Sequence, residues 1–294
     1  MVVHTKDYKM SYLVETNYAG GDAGLEFACT PLDAGDVANV TAFHIPSGSI
    51  SYPYREYEKE KVKSAGMAVG TNAEFIKGYS YKDCSLPMFQ WTDVFLDAAI
   101  DVDGTYASYL IHVEDGTDQF DACGAMVKKW ELSAKGDEFP TETVDFIYYD
   151  VVDSVAVTTH PAFTTTQPGV FKDITVSIGG HLIGDLTEIT ATIEKEYQDV
   201  MVAGKYPRAK TEVVAITSKI ELKFMSDTAD NLIYDPREAI DTHAVIITRL
   251  AALKDLTISS MSVTESNVNE VPEFGLWEHS ITLENSGACV YSIA

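Results

Sequence analysis

Residues 187–196 read TEITATIEKE, and their alternation limits the fold more than any other feature of the chain. Ile189, Ala191 and Ile193 take every second position, while Glu188, Thr190, Thr192, Glu194 and Glu196 take the others. On a helix, where a face recurs about every 3.6 residues, such a pattern would scatter its apolar groups around the axis. On a strand it sorts them, giving one apolar face and one wet face. A strand of that kind belongs in an antiparallel sheet with a core on one side and water on the other.

The same period runs through most of the chain. Further candidate strands cover 49–57, 73–82, 105–113, 125–134 and 142–149, then 174–178, 213–224, 243–250 and 281–284. Between the two groups lies TTHPAFTTTQPGV (158–170), low in charge and extended by proline, which reads as a linker. Helical spacing is rare. In PMFQWTDVFLDAA (87–99), Met88, Trp91, Phe95 and Ala98 fit a helix, with Ser85 upstream as a cap. A shorter helix is expected within 227–239, interrupted by Pro236.

Each half runs in the same order: long strand, charged loop, long strand, helix, strand, closing hairpin. Gly48 and Gly184, Gly66 and Gly204, and Phe146 and Ile281 mark equivalent points at nearly constant separation. The expectation is an N-terminal segment (1–45), a β unit (46–157), the linker (158–170) and a second β unit (171–294).

Reactive groups in recognisable patterns are missing. The glycine-rich YAGGDAGLEF (18–27) lacks the Gly-Lys-Ser/Thr of a phosphate loop, and the 7 histidines form neither HxxxH nor HxH. No GxSxG elbow occurs, and Cys29, Cys84, Cys123 and Cys289 stand far apart, as buried reduced thiols do. DVDG at 101–104 lacks the acidic last ligand of a calcium loop and reads as a turn. Asn39 opens a glycosylation-type triplet of little weight without a secretion signal. Hence no enzyme, cofactor or metal is expected. Asp plus Glu number 45 against 21 Lys plus Arg, a formal charge of -24, which opposes binding to nucleic acid or anionic membranes. No segment has the length and apolarity of a membrane span, and the start lacks a signal-peptide core.

Several longer stretches resemble the tail tube proteins of long-tailed phages. They are YLVETNYAGG (12–21), MVKKWELSAKGDEFPTETVDFIYYD (126–150), DITVSIGGHLIGDLTEITATIEKEY (173–197) and TEVVAITSKIELKFMSD (211–227). The likeness covers most of the chain and is one of strand-and-turn patterns. It implies a mainly β fold, here two tandem tail-tube-type β-sandwich or barrel domains, each with a flanking short helix. It also implies a structural subunit of the virion tail, assembled in the host cytoplasm, whose stacked rings conduct DNA without binding it specifically. Its partners would be itself and other tail proteins at the tube ends. The duplicated order favours trimeric, pseudo-sixfold rings, with hexameric rings as the alternative.

On that reading Glu188, Thr190, Thr192, Glu194 and Glu196 face the channel. Two charged loops, 58–72 and 198–210, would set ring stacking through Lys59, Lys61, Lys63, Met67 and Val69 in the first. The second would use Val200, Met201, Val202, Lys205, Tyr206, Arg208 and Lys210. Two other readings compete. A tail terminator or baseplate ring would share the fold without stacking. A carbohydrate-binding or carbohydrate-hydrolysing β-sandwich would need a concave aromatic site, for which Tyr52, Tyr54, Tyr57, Tyr79 and Tyr81 are candidates.

Overall fold

A computed structural model describes residues 8–15, 41–45, 57–62, 73–79, 82–89, 93–101, 108–114, 119–148, 150–153, 169–200, 210–227, 242–249, 253–271, 275–285 and 289–293. Up to residue 79 it describes the backbone alone. The strands are β1 (Tyr8–Glu15), β2 (Thr41–Ile45), β3 (Tyr57–Val62), β4 (Ala73–Tyr79), β5 (Lys82–Phe89), β6 (Ser108–Glu114), β7 (Gln119–Lys135), β8 (Thr141–Tyr148) and β9 (Asp150–Asp153). They continue with β10 (Thr175–Ile178), β11 (His181–Ile183), β12 (Leu186–Val200), β13 (Lys210–Ser226), β14 (Thr242–Thr248), β15 (Leu256–Val271), β16 (Leu276–Asn285) and β17 (Tyr291–Ile293). Among the described residues there is one α-helix, α1 (Val94–Ile100), and a 3-10 turn at Phe171–Asp173. The fold is mainly β, as the alternation requires.

All strand pairs are antiparallel, and hydrogen bonding links all but β3 and β4 into one 15-stranded sheet. Its central path runs β14-β15-β16-β13-β12-β7-β6, and β8 joins β7 to β5. The pairing order of the first half recurs in the second. β6-β7-β8-β5 matches β14-β15-β16-β13, β9 on β7 matches β17 on β15, and β3-β4 matches β12-β13.

Register irregularities recur with it. The shift between Tyr109 and Ile111 on β6 has its counterpart between His243 and Val245 on β14. That between Val127 and Lys129 on β7 recurs between Val263 and Glu265 on β15. The one between Glu58 and Lys59 on β3 recurs between Glu196 and Tyr197 on β12. Bulges are positional features of a fold, so three matching pairs are a stronger mark of repetition than strand order alone. The halves meet in a further ladder, β7 with β12, from Glu188↔Lys135 to Glu194↔Lys129.

The core takes the apolar side of this sheet. Trp130, Leu132 and Ala134 of β7 lie buried beside Ile193, Ala191 and Ile189 of β12, and Ile220 and Leu222 of β13 continue the layer. Helix α1 covers part of it with buried Phe95, Leu96 and Ala99. The Phe95 ring meets Tyr109 and Phe146 edge-on, at centroid distances of 5.5 and 5.3 Å. Turn chemistry also follows the sequence. The Gly179–Gly180 pair between β10 and β11 has φ of 57° and 85°, the double positive φ of a type I′ hairpin, which a side chain would strain.

Two local expectations need correction. Ser85 and Met88 stand in β5, upstream of the helix, which begins only after Asp93. Cys84, Leu86 and Met88 are all buried at period two and pair with β8, so the strand claims them before helical spacing can. Asp93 sits at the N-cap, yet its side chain makes no cap hydrogen bond, because Arg249 and Lys254 occupy it. The helix expected within 227–239 and the linker up to 168 lie outside the described residues.

Candidate functional site

The wet face of β12 is where the sequence points, and the fold confirms its two-sidedness. Ile189, Ala191 and Ile193 are buried; Glu188, Thr190 and Thr192 are half-buried; Glu194 and Glu196 are exposed. Strand pairing then fixes what lies beside them. On β7, Lys135, Ser133, Glu131 and Lys129 stand opposite Glu188, Thr190, Thr192 and Glu194. On β13, Lys223, Glu221, Lys219 and Thr217 stand opposite the same four residues. Further rows follow on β16 (Ser280, Thr282, Glu284) and β8 (Thr141, Thr143, Asp145).

This face is therefore a lattice of both signs, with lysines that the reading of β12 alone did not include. Glu188 lies between two of them, 2.7 Å from Lys223 Nζ and 3.9 Å from Lys135 Nζ. The Lys223 hydrogen bond holds the Glu188 carboxyl below its ordinary pKa, and the same contact raises Lys223. Lys129 contacts Glu131 at 2.6 Å and Lys219 contacts Glu221 at 2.7 Å, and each ammonium is raised by its partner. Thr192 Oγ1 donates to Glu131 Oε2 at 3.4 Å. Such pairs, across strands at Glu188 and along one strand at Lys129–Glu131 and Lys219–Glu221, stabilise a sheet modestly where they face water. Their larger consequence is chemical, since every lysine named here stands beside a carboxylate of the same face.

The sequence carried a signal for these lysines. KKWELSAK (128–135) and SKIELK (218–223) alternate as β12 does, so antiparallel neighbours had to bring one row of charges beside the next. One residue departs from the pattern. Lys195 lies on the apolar side, 3% exposed, where its Nζ donates to the Ala98 carbonyl at the end of α1. Burial lowers its pKa to about 8. A cation at a helix C-terminus meets both an unsatisfied carbonyl and the negative end of the dipole.

The residues expected to stack rings are placed only in part. Lys59 and Lys61 lie within β3, and Val200 and Lys210 pair with each other at the ends of β12 and β13. These four are strand residues, contrary to the loop expectation, because the period-two charge pattern continues to the hairpin end. Lys63, Met67, Val69, Met201, Val202, Lys205, Tyr206 and Arg208 lie outside the described residues, as do Tyr52, Tyr54 and Tyr81.

A long, two-signed sheet face without a nucleophile, joined across two matching halves, suits a wall better than a pocket. Comparison with protein families decides what kind of wall. The family model described as phage tail tube protein matches residues 15–266. The chain belongs to the phage tail tube protein family. A search of the curated proteins returns no match. Membership fits the mainly β fold and assigns a structural role in a virion tail through self-assembly into a tube. Among the described residues no group of three or more His, Cys, Asp or Glu is placed to hold a metal ion. No described helix is long and apolar enough to cross a membrane.

Proposed function

We propose that the chain is the repeating subunit of a tail tube, that three copies close each ring with pseudo-sixfold symmetry, and that the wet face of β12 lines the DNA channel. The two units, 46–157 and 171–294, act as two tube domains fused in tandem. The observation that carries this reading is the continuous sheet face β16-β13-β12-β7-β8, apolar behind and charged in front, running across both halves.

Duplex DNA carries one negative charge about every 1.7 Å of its axis. A lining with free lysines would release counterions from the duplex and hold it. Here Lys129, Lys219 and Lys223 are each paired to a carboxylate, and Glu194 and Glu196 add exposed negative charge. Lys135 shares the Glu188 carboxylate with Lys223, and repulsion from the acidic residues is screened within about 10 Å at ordinary salt. On this reading the segments between β3 and β4 (63–72) and between β12 and β13 (201–209) set ring stacking.

A terminator or baseplate ring would use the same fold as a single ring. Electron microscopy of the purified protein separates the readings: stacked tubes support this one, and isolated rings or monomers under all assembly conditions contradict it.

A further inference from the structure

The core of the second half ends in a cluster of soft donor groups. On the core side of β13 the apolar run of Leu222 and Ile220 gives way to Ser218, which is also buried. Its hydroxyl donates to Met261 Sδ of β15 at 3.3 Å, and Met261 is itself fully buried. Cys289, half-buried just before β17, donates its thiol to the Ser259 carbonyl. The Tyr291 hydroxyl of β17 is buried with no well-directed hydrogen bond, beside Ser218 and Cys289. A thiol, a thioether and two hydroxyls thus converge from β13, β15 and the entry to β17.

Backbone bonds fix the frame around them. Val290 N donates to Ser259 Oγ at 2.9 Å, and Ser259 N donates to the Val290 carbonyl at 3.0 Å. Ser218 N donates to Asn285 Oδ1 at 3.1 Å, and β17 pairs with β15 from Tyr291↔Ile258 to Ile293↔Leu256. A buried hydroxyl without a well-directed partner carries a desolvation cost that close packing does not offset. The sulfur groups narrow what would offset it. Thiolate and thioether together select soft cations such as Cu(I), and the groups named here include no carboxylate or imidazole to favour a harder one.

We propose that Cys289 and Met261 form a binding site for a soft monovalent cation of the Cu(I) class, with the Ser218 and Tyr291 hydroxyls lining it. On binding, the Cys289 thiol releases its proton to water as the sulfur–metal bond forms, and Met261 adds a thioether lone pair. The metal stays monovalent, so no electron is transferred. The ion ties the segment that opens β17 to β15, and solvent reaches it from the Cys289 side, where Val290 is 67% exposed. Burial pushes the Cys289 thiol above its ordinary pKa, against the opposing pull of the Tyr291 and Ser218 hydroxyls. The metal-free thiol is therefore protonated, and binding strengthens as pH rises. The site is independent of the tube reading, because Lys219 and Glu221 of the charged face lie on the other side of β13.

Competition for Cu(I) against a chromophoric chelator, under reducing conditions, tests this on the purified chain. The wild type should hold a single Cu(I) that Cys289→Ser lacks, with Cys29, Cys84 and Cys123 as the background common to both. Met261→Leu should bind that ion at least about tenfold more weakly, since even groups that only orient a ligand contribute that much. X-ray absorption on the selenomethionine protein should show selenium bound to copper. That reading keeps the wild-type packing, so it decides the matter even where Met261→Leu or Cys289→Ser does not fold. Equal Cu(I) content in the wild type and Cys289→Ser overturns the inference. So does an unchanged affinity in Met261→Leu, or copper with no selenium neighbour.

Discussion

The Arg249 guanidinium lies 3.1 Å from the Glu142 carboxylate, and both side chains are fully buried although they come from opposite halves of the chain. Trp130 Nε1 donates to the other carboxylate oxygen at 3.3 Å, and the guanidinium sits 6.0 Å from the Trp130 ring centroid. Arg249 also bonds the Asp93 carboxylate and, at 2.7 Å, the Lys254 carbonyl. A buried ion pair stabilises weakly overall, but removing one member leaves an uncompensated charge. Arg249→Met should therefore lower stability by about 3–5 kcal/mol at pH 8, measured by urea denaturation, and by clearly less at pH 5. An equal loss at both pH values would mean that packing, and not charge, is what Arg249 supplies.

The pH contrast follows from Glu142. Burial raises its pKa from 4.5 to about 7, with Asp93 left as the counter-charge for Arg249. The native state then holds a proton that the unfolded chain has released. Stability is at its fullest below about 4.5 and declines as pH rises through about 7. Set against Glu142→Gln, which keeps a neutral hydrogen-bonding side chain, the wild type should lose on the order of 1–3 kcal/mol across that window. Parallel stability curves for the two proteins would remove Glu142 as the source.

Channel charge gives a functional prediction. Changing Glu188, Glu194 and Glu196 together to Lys leaves the buried face of β12 untouched, so the chain should still fold and form tubes, with a stability loss of about 1–2 kcal/mol as the Lys223 and Lys135 contacts reverse sign. DNA ejection from virions carrying the triple change should slow, most strongly at low salt. Ejection at the wild-type rate would show that this face does not line the channel.

Ring stacking can be separated from ring closure. The β12-β13 ladder continues to Val200↔Lys210, so residues 201–209 can be replaced by Asn-Gly without removing a described strand pair. We predict folded single rings that no longer extend into tubes, read by negative-stain microscopy. Tubes of normal length would assign stacking to another surface.

Periodicity made β12 readable from sequence because one face of every strand meets the core, and TEITATIEKE states that division residue by residue. It misled at Met88, which satisfies period two with Leu86 as well as helical spacing with Trp91; pairing with β8, a partner distant in sequence, settles the matter. The lattice of Lys129, Lys135, Lys219 and Lys223 was present as alternation in each strand, yet its meaning depends on which strands become neighbours. Arg249 was beyond reach for the same reason. Its partners Asp93, Glu142 and Lys254 share no spacing pattern, and only the fold gathers them.

We expect one chain to supply two tube domains to each ring of a tube. Cryo-electron microscopy of the assembled protein, averaged end-on without imposed symmetry, tests it most directly. The expected result is stacked rings of three chains, six similar sheet segments around a channel, and β12 on the inner wall. Rings of six full-length chains, or tubes with β12 on the outer surface, would contradict it.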